Sequence, residues 1–195
     1  MDLCRLVVDR APPHGHNSHM PIAPNGVRQD DAPAFAPDPP LLTRAELVEV
    51  YEIWKLLGPM AAARAAATAR REQVLEAVAL VALMRTEPVG PRWADYNMAF
   101  HGLIEDFGSG PRLAAILTEL RGLASGFVRE SILASADQRL DEANSEHEDI
   151  LRAVMAGDAE AAADAALRHL DSSLRGVLTV REVRALPGPL PASAG

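Results

Sequence analysis

The chain has 195 residues, 48% of them apolar but only 4% aromatic, with a net charge of -8 and a sequence pI near 5.2. That length suits one domain of roughly 100 to 200 residues with some tail to spare. The acidic balance excludes the broad basic surface that a stand-alone nucleic-acid binder uses to neutralise phosphates, and the single cysteine, Cys4, excludes a disulfide framework.

Residues 1–40 hold eight of the fifteen prolines together with His14, His16 and His19, and show neither helical nor strand periodicity. They read as a disordered or loosely attached arm. Flexible histidines of this kind are ordinarily solvated, and Cys4 has no candidate base near it in sequence.

From Leu41 the texture changes to six amphipathic runs. The first opens at Thr43, with Glu46 placed to complete a capping box, and continues through Leu47, Val50, Tyr51 and Trp54 to about Thr68, with a kink expected at Pro59. The second covers Arg71 to about Arg85 and ends before Pro88 and Gly90. The third runs from about Trp93 to Phe107, and the fourth begins at Pro111, the favoured first helical position, and reaches about Ala134. The fifth spans Asp137 to Ala156 and is closed by Gly157. Asp158 caps the sixth, which carries Ala162, Ala166, Leu170, Leu174 and Val177 to about Leu186. Pro187, Pro189 and Pro191 mark a flexible tail over 187–195. The expected architecture is all-α, a single antiparallel bundle of about six helices over 41–186. Its aromatic-poor, alanine-rich core requires closely spaced helices. No window approaches the roughly 20 apolar residues of a membrane span, and the lone cysteine suits the reducing cytoplasm.

The three remaining histidines fall one each on the third, fifth and sixth runs. His147 shares a stripe with Ala143, Ile150, Leu151 and Val154, so helical spacing aims it at the core. Asn97 and His101 are four residues apart and share a face beside Phe100 and Ile104. His169 lies at the edge of the stripe formed by Ala162, Ala166 and Ser173. A single half-buried histidine is ordinarily a hydrogen-bonded core residue. Three on separate helices can also converge as neutral imidazole ligands for a borderline metal such as zinc or nickel. Spacing alone leaves both readings open, because it does not say which helices face one another.

Four stretches bear on that question: Asn97-Met-Ala-Phe-His101, Glu146-His-Glu-Asp-Ile-Leu151, Ala156-Gly-Asp158 and Arg168-His-Leu170. With Leu47 to Met60 and the turn Gly110-Pro-Arg-Leu113, they resemble, in order and spacing, the FCD domain, the FadR-type C-terminal effector domain of GntR-family transcription regulators. The resemblance covers about Leu41 to Leu186. It implies a homodimeric helical sensor, not an enzyme, with a divalent metal held by Asn97, His101, His147 and His169 and a small-molecule effector, such as an organic acid, completing the coordination. It also implies that DNA is reached only through a winged helix domain, which residues 1–40 do not resemble. Two positions depart from the family pattern. Asn97 stands where aspartate is usual, which removes a negative charge. Trp54 and Gly58 stand where arginine and glutamate are usual, so Trp54 faces the effector pocket without a cation to grip a carboxylate.

Two other functions fit the residues. A histidine site with open positions can activate water in a hydrolase or lyase, although Glu146 and Glu148 are expected to splay to either side of the His147 stripe and no phosphate loop, zincin or serine-nucleophile motif occurs. A bundle of this kind can also act as an interaction protein, forming mixed dimers with intact regulators.

Overall fold

The computed structural model describes residues 42–134 and 137–185. The arm of residues 1–40, with Cys4, His14, His16 and His19, and the tail of residues 187–195 lie outside them. Six helices occur among the described residues: α1 (Arg44–Thr68), α2 (Arg71–Thr86), α3 (Pro91–Phe107), α4 (Pro111–Ala134), α5 (Asp137–Ala156) and α6 (Ala159–Ala185). The all-α expectation holds, and no strand occurs among these residues. No helix among them is long and apolar enough to cross a membrane.

The ends of the helices follow local chemistry. At Thr43 the hydroxyl accepts from the Glu46 amide at 3.2 Å, and the Glu46 carboxylate accepts from the Thr43 amide at 2.7 Å, the reciprocal pair that the sequence foretells. Helix α1 then runs unbroken through Pro59. Helix α3 begins at Pro91, two residues ahead of the expected Trp93, because the fixed φ of proline and its missing N–H suit a first helical position. Gly157 closes α5 in the left-handed region, at φ 71°. The Gly157 and Asp158 amides donate to the Val154 and Ala153 carbonyls at 3.1 and 3.0 Å. Asp158 Oδ1 in turn accepts from the Ala161 amide at 3.0 Å, so two residues stop one helix and start the next.

Helix α1 lies against α3, α4, α5 and α6, and its alanine-rich second half makes this possible. Ala61, Ala62 and Ala65 are buried, and their short side chains let neighbouring backbones approach. One apolar cluster gathers Trp93, Phe100, Met84, Ile150 and Leu151 from α2, α3 and α5; a second gathers Leu47, Tyr51, Trp54, Leu117 and Leu170 from α1, α4 and α6. Polar contacts tie the layers at fixed points. The Trp93 indole N–H donates to Asn144 Oδ1 at 3.2 Å, and Asn144 Nδ2 donates to the Met84 carbonyl at 3.4 Å, which links α3, α5 and α2. The Tyr51 hydroxyl meets that of Ser173 at 2.9 Å and links α1 to α6.

Two backbones approach closely at the end of α3. A Cβ on Gly108 would sit 2.0 Å from the Ala61 carbonyl oxygen and 2.7 Å from the Ala65 nitrogen, atoms of the α1 backbone that cannot turn aside. Gly122, on the exposed side of α4, has nothing within 4 Å of such a Cβ. Gly108→Ala is therefore expected to destabilise the domain by about 3 kcal/mol, at the upper end of overpacking costs. Gly122→Ala is expected to stabilise it by about 0.5–1 kcal/mol through the lower backbone entropy of alanine in a helix. Chemical denaturation of the two variants beside the parent protein checks both signs.

Candidate metal centre

Three helices converge on one point. His101 from α3, His147 from α5 and His169 from α6 each bring a ring nitrogen within 4.8 Å of the others. The His101 and His147 Nε2 atoms face each other at 3.3 Å. The rings of His147 and His169, and those of His101 and His169, have centroids 4.7 Å apart. Phe100 and Trp93 hold the His147 ring from its own side, at centroid distances of 5.0 and 5.9 Å. His147 is completely buried and His169 nearly so, whereas His101 keeps part of its ring on the wall of a small cavity.

This setting favours neutral imidazoles. Burial holds His101 and His147 well below the ordinary imidazole range. The positive charge that His169 would carry pushes both further down, with Arg121 adding to the effect on His101, and His101 and Arg139 to that on His147. Outside the ring of nitrogens, Glu146 accepts from His169 Nδ1 at 2.9 Å. A carboxylate on Nδ1 fixes the tautomer and leaves Nε2 with its lone pair, the arrangement commonly seen behind a metal-ligating histidine. Burial alone would raise the Glu146 carboxyl, but the hydrogen bond and charge of His169, with help from Ser172 and Arg139, outweigh it and hold the group below its usual range. Glu148 splays the other way and pairs with Arg85 on α2.

The residues fit a divalent metal on three counts. Two imidazole nitrogens bound to one zinc at about 2.0–2.1 Å in a tetrahedron lie roughly 3.3–3.4 Å apart, which matches the facing Nε2 pair. Burial disfavours the charged forms of His101 and His147, so the lone pairs of their facing nitrogens are available. His147 Nδ1 is buried and has no hydrogen-bond partner, so the polar contact of this ring is the facing nitrogen of His101. Asn97, one helical turn before His101, is buried and lines the same cavity as His101 and His169.

Trp54 also lines this cavity, and its surroundings explain why a tryptophan can stand there. Its indole N–H donates to Glu105 Oε1 at 2.7 Å, and the other carboxylate oxygen of Glu105 pairs with Arg121 of α4. Gly58 makes room: a Cβ there would come within 3.2 Å of both the Trp54 ring and Leu170. Burial pushes the Glu105 carboxyl up to about 7, against the pull of the Arg121 guanidinium and the hydrogen bonds from Trp54 and Arg121. Sequence reasoning missed Glu105. The available signal was its spacing, since Asn97, His101 and Glu105 follow one another at intervals of four along one face of α3. Arg121 carried no such signal. Lys55, beside Trp54 in sequence, points elsewhere and pairs with Asp171 at 3.0 Å.

With this geometry in view, the relationships of the chain can be stated. The FCD domain model matches residues 49–172, and the chain belongs to the FCD domain family, whose members are effector-binding domains of transcription regulators rather than enzymes. Among solved structures, a transcriptional regulator described as a GntR family member, from Pseudomonas syringae pv. tomato str. DC3000, is similar at a TM-score of 0.64 and 18% sequence identity. The match covers 73% of this chain and 60% of that one, and at that identity the likeness is one of fold. No curated protein matches the chain.

The buried titratable groups set the pH dependence of the metal-free domain. Below about pH 6.5 the unfolded chain takes up protons that His101 and His147 refuse in the folded state. Stability that is complete above that pH is therefore lost as the pH falls, by up to roughly 1.4 kcal/mol per pH unit for each histidine. Glu105 works in the opposite sense. With its folded value raised to about 7, it binds a proton in the folded state first and adds stability as the pH falls from about 7 towards its ordinary range. In the presence of a chelator, the free energy of unfolding is expected to fall between pH 7 and pH 5, and more steeply in Glu105→Gln. Denaturant titrations across that range decide it, and a flat profile in the parent protein would contradict neutral burial of the two imidazoles.

Proposed function

We propose that the chain is a metal-dependent small-molecule sensing domain of a GntR-type regulator, with residues 41–186 as the ligand-binding unit. His101, His147 and His169 would hold a divalent ion, zinc or nickel by the preference of imidazole for borderline metals, with the Asn97 side-chain oxygen as the fourth donor. The observation that carries this reading is the convergence of three imidazole nitrogens within 4.8 Å, from three separate helices, inside an apolar bundle. When bound, such an ion supplies a Lewis-acidic centre to which an oxygen-bearing effector can attach.

The remainder of the reading rests on family membership and chemistry. Effector binding that favours one arrangement of the helices would be passed to a partner surface, and a homodimer in the cytoplasm is the assembly we propose. DNA contact would belong to a winged helix domain and not to this bundle, part of a chain whose net charge is -8.

Zinc added to chelator-treated protein is expected to raise its melting temperature. At free zinc about 100 times the dissociation constant the stabilisation approaches roughly 2.7 kcal/mol. His147→Ala should abolish the response, although the substitution also lowers the starting stability. Elemental analysis after zinc or nickel loading gives the stoichiometry directly, and a protein that retains neither metal would overturn the proposal. Asn97→Asp is expected to tighten zinc by roughly tenfold, because a carboxylate adds Coulombic attraction at the same reach. Competition with a chromophoric chelator measures that ratio, and an unchanged constant would remove Asn97 from the ligand set.

A further inference from the structure

Helix α1 buries one face against four other helices and leaves an apolar strip uncovered on another. Ile53, Leu56 and Met60 are 40%, 76% and 37% exposed, and Leu56 is the most exposed large apolar side chain among the described residues. Glu49 and Arg64, both exposed, stand at the two ends of the strip. At 3.6 residues per turn, positions 49, 53, 56, 60 and 64 fall within an arc of about 80°, over a length of about 22 Å. The other exposed apolar residues are spread along their helices, Leu75 and Leu83 on α2, Ile116 and Leu133 on α4 and Leu167 on α6. Scattered residues of that kind are ordinary on a folded surface, whereas a continuous strip is not.

Charge decides what covers the strip. Glu49 and Glu52 lie at its N-terminal end and Arg64 at its C-terminal end, and among the described residues none of the three has an ion-pair partner. Other charges on or beside α1 are paired within the chain, Lys55 with Asp171 and Arg121 with Glu105. A second α1 laid antiparallel on the first sets the acidic end of each against the Arg64 end of the other, and a parallel one sets like against like. About an axis between Leu56 and Leu57, Glu49 comes opposite the partner's Arg64, Ile53 opposite the partner's Met60, and Leu56 lies beside its own copy. A two-fold contact uses the same patch on both chains and requires this self-complementarity. An anionic surface, by contrast, is opposed by the two glutamates and by the net charge of -8.

We propose that the face of α1 bearing Glu49, Leu56 and Arg64 is the docking surface for a second copy of this chain, packed antiparallel about a two-fold axis beside Leu56. This rests on the homodimer reading above and deepens it by naming the surface and its register. A strip of about 22 Å on one helix offers less than the roughly 800 Å² per partner of a standard interface. The dimer it makes is therefore a reversible one, with a dissociation constant of about micromolar order.

The test is analytical ultracentrifugation of the full chain, zinc-free and zinc-loaded, from about 2 to about 200 µM, a span that brackets a micromolar dissociation constant. The parent is expected to pass from monomer to dimer across it. Leu56→Glu should weaken dimerisation by at least about tenfold, because two leucines beside the axis give way to two carboxylates. Glu49→Arg and Arg64→Glu should each weaken it by about tenfold, since both ion pairs of the dimer become like-charge contacts. Mixed in equal amounts, these two variants should associate to within about threefold of the parent, because each arginine then meets a glutamate on the other chain. All three positions are exposed, so thermal melting of the monomer is expected to stay at the parent value. If Leu56→Glu melts early, the two charge variants and their mixture decide. A monomer at every concentration, the result if residues 1–40 of the same chain cover the strip, overturns both this surface and the homodimer reading. A dimer that ignores the three substitutions, or a mixture that associates no better than its components, leaves the homodimer standing and overturns this surface. Failure to retain zinc bears on the metal site alone.

Discussion

Three imidazoles packed ring against ring in the interior of an alanine-rich bundle set the terms for everything around them. Burial and neighbouring charges hold His101 and His147 below the ordinary imidazole range, which favours neutral rings with lone pairs available at their facing nitrogens. Neutral imidazoles at 3.3 Å can share only one proton between the facing Nε2 atoms. The remaining nitrogens need partners from elsewhere. Glu146 meets that need for His169, and Phe100 and Trp93 hold His147 from its flank without offering a hydrogen bond. The cluster is therefore rigid in position and incomplete in bonding, the condition in which an ion or a ligand gains most from binding.

The rest of the pocket answers the same constraint on its other sides. Trp54 supplies bulk where the FCD resemblance leads one to expect a cation, and its N–H is spent on Glu105 instead of being left for an effector. Glu105 is in turn balanced by Arg121, so this wall carries a closed, internally paired network. Gly58 and Gly102 make room for it: a Cβ at Gly58 would meet the Trp54 ring, and one at Gly102 would meet the Arg121 guanidinium, each at 3.2 Å. On the opposite wall Arg139 lies 3.6 Å from Glu142 and 3.7 Å from Glu146. The pocket is thus polar on two sides, with carboxylates beside the arginine on each.

Much of this protein is determined by local sequence. Helix starts and stops follow from short-range chemistry at Thr43 and Glu46, at Pro91 and Pro111, and at Gly157 and Asp158, where each cap bonds to atoms a few residues away. Which face of each helix is buried follows from the 3.6-residue period, and that period alone turned His147 inward and put Asn97 and His101 on one face. The family pattern then brought His169 into the same set.

Only the tertiary structure decided what those residues meet. Glu105 lies on the same face of α3 as His101, but its partners Trp54 and Arg121 stand 51 and 16 residues away along the chain, on other helices. Glu146 flanks His147 in sequence yet serves His169 on α6. Arg139 of α5 joins Ser131 of α4 and Ser173 of α6 on the wall of one cavity. Periodicity fixes the direction of a side chain relative to its own helix axis. It carries no information about the rotation and offset between two helices, and those set every distance in the site.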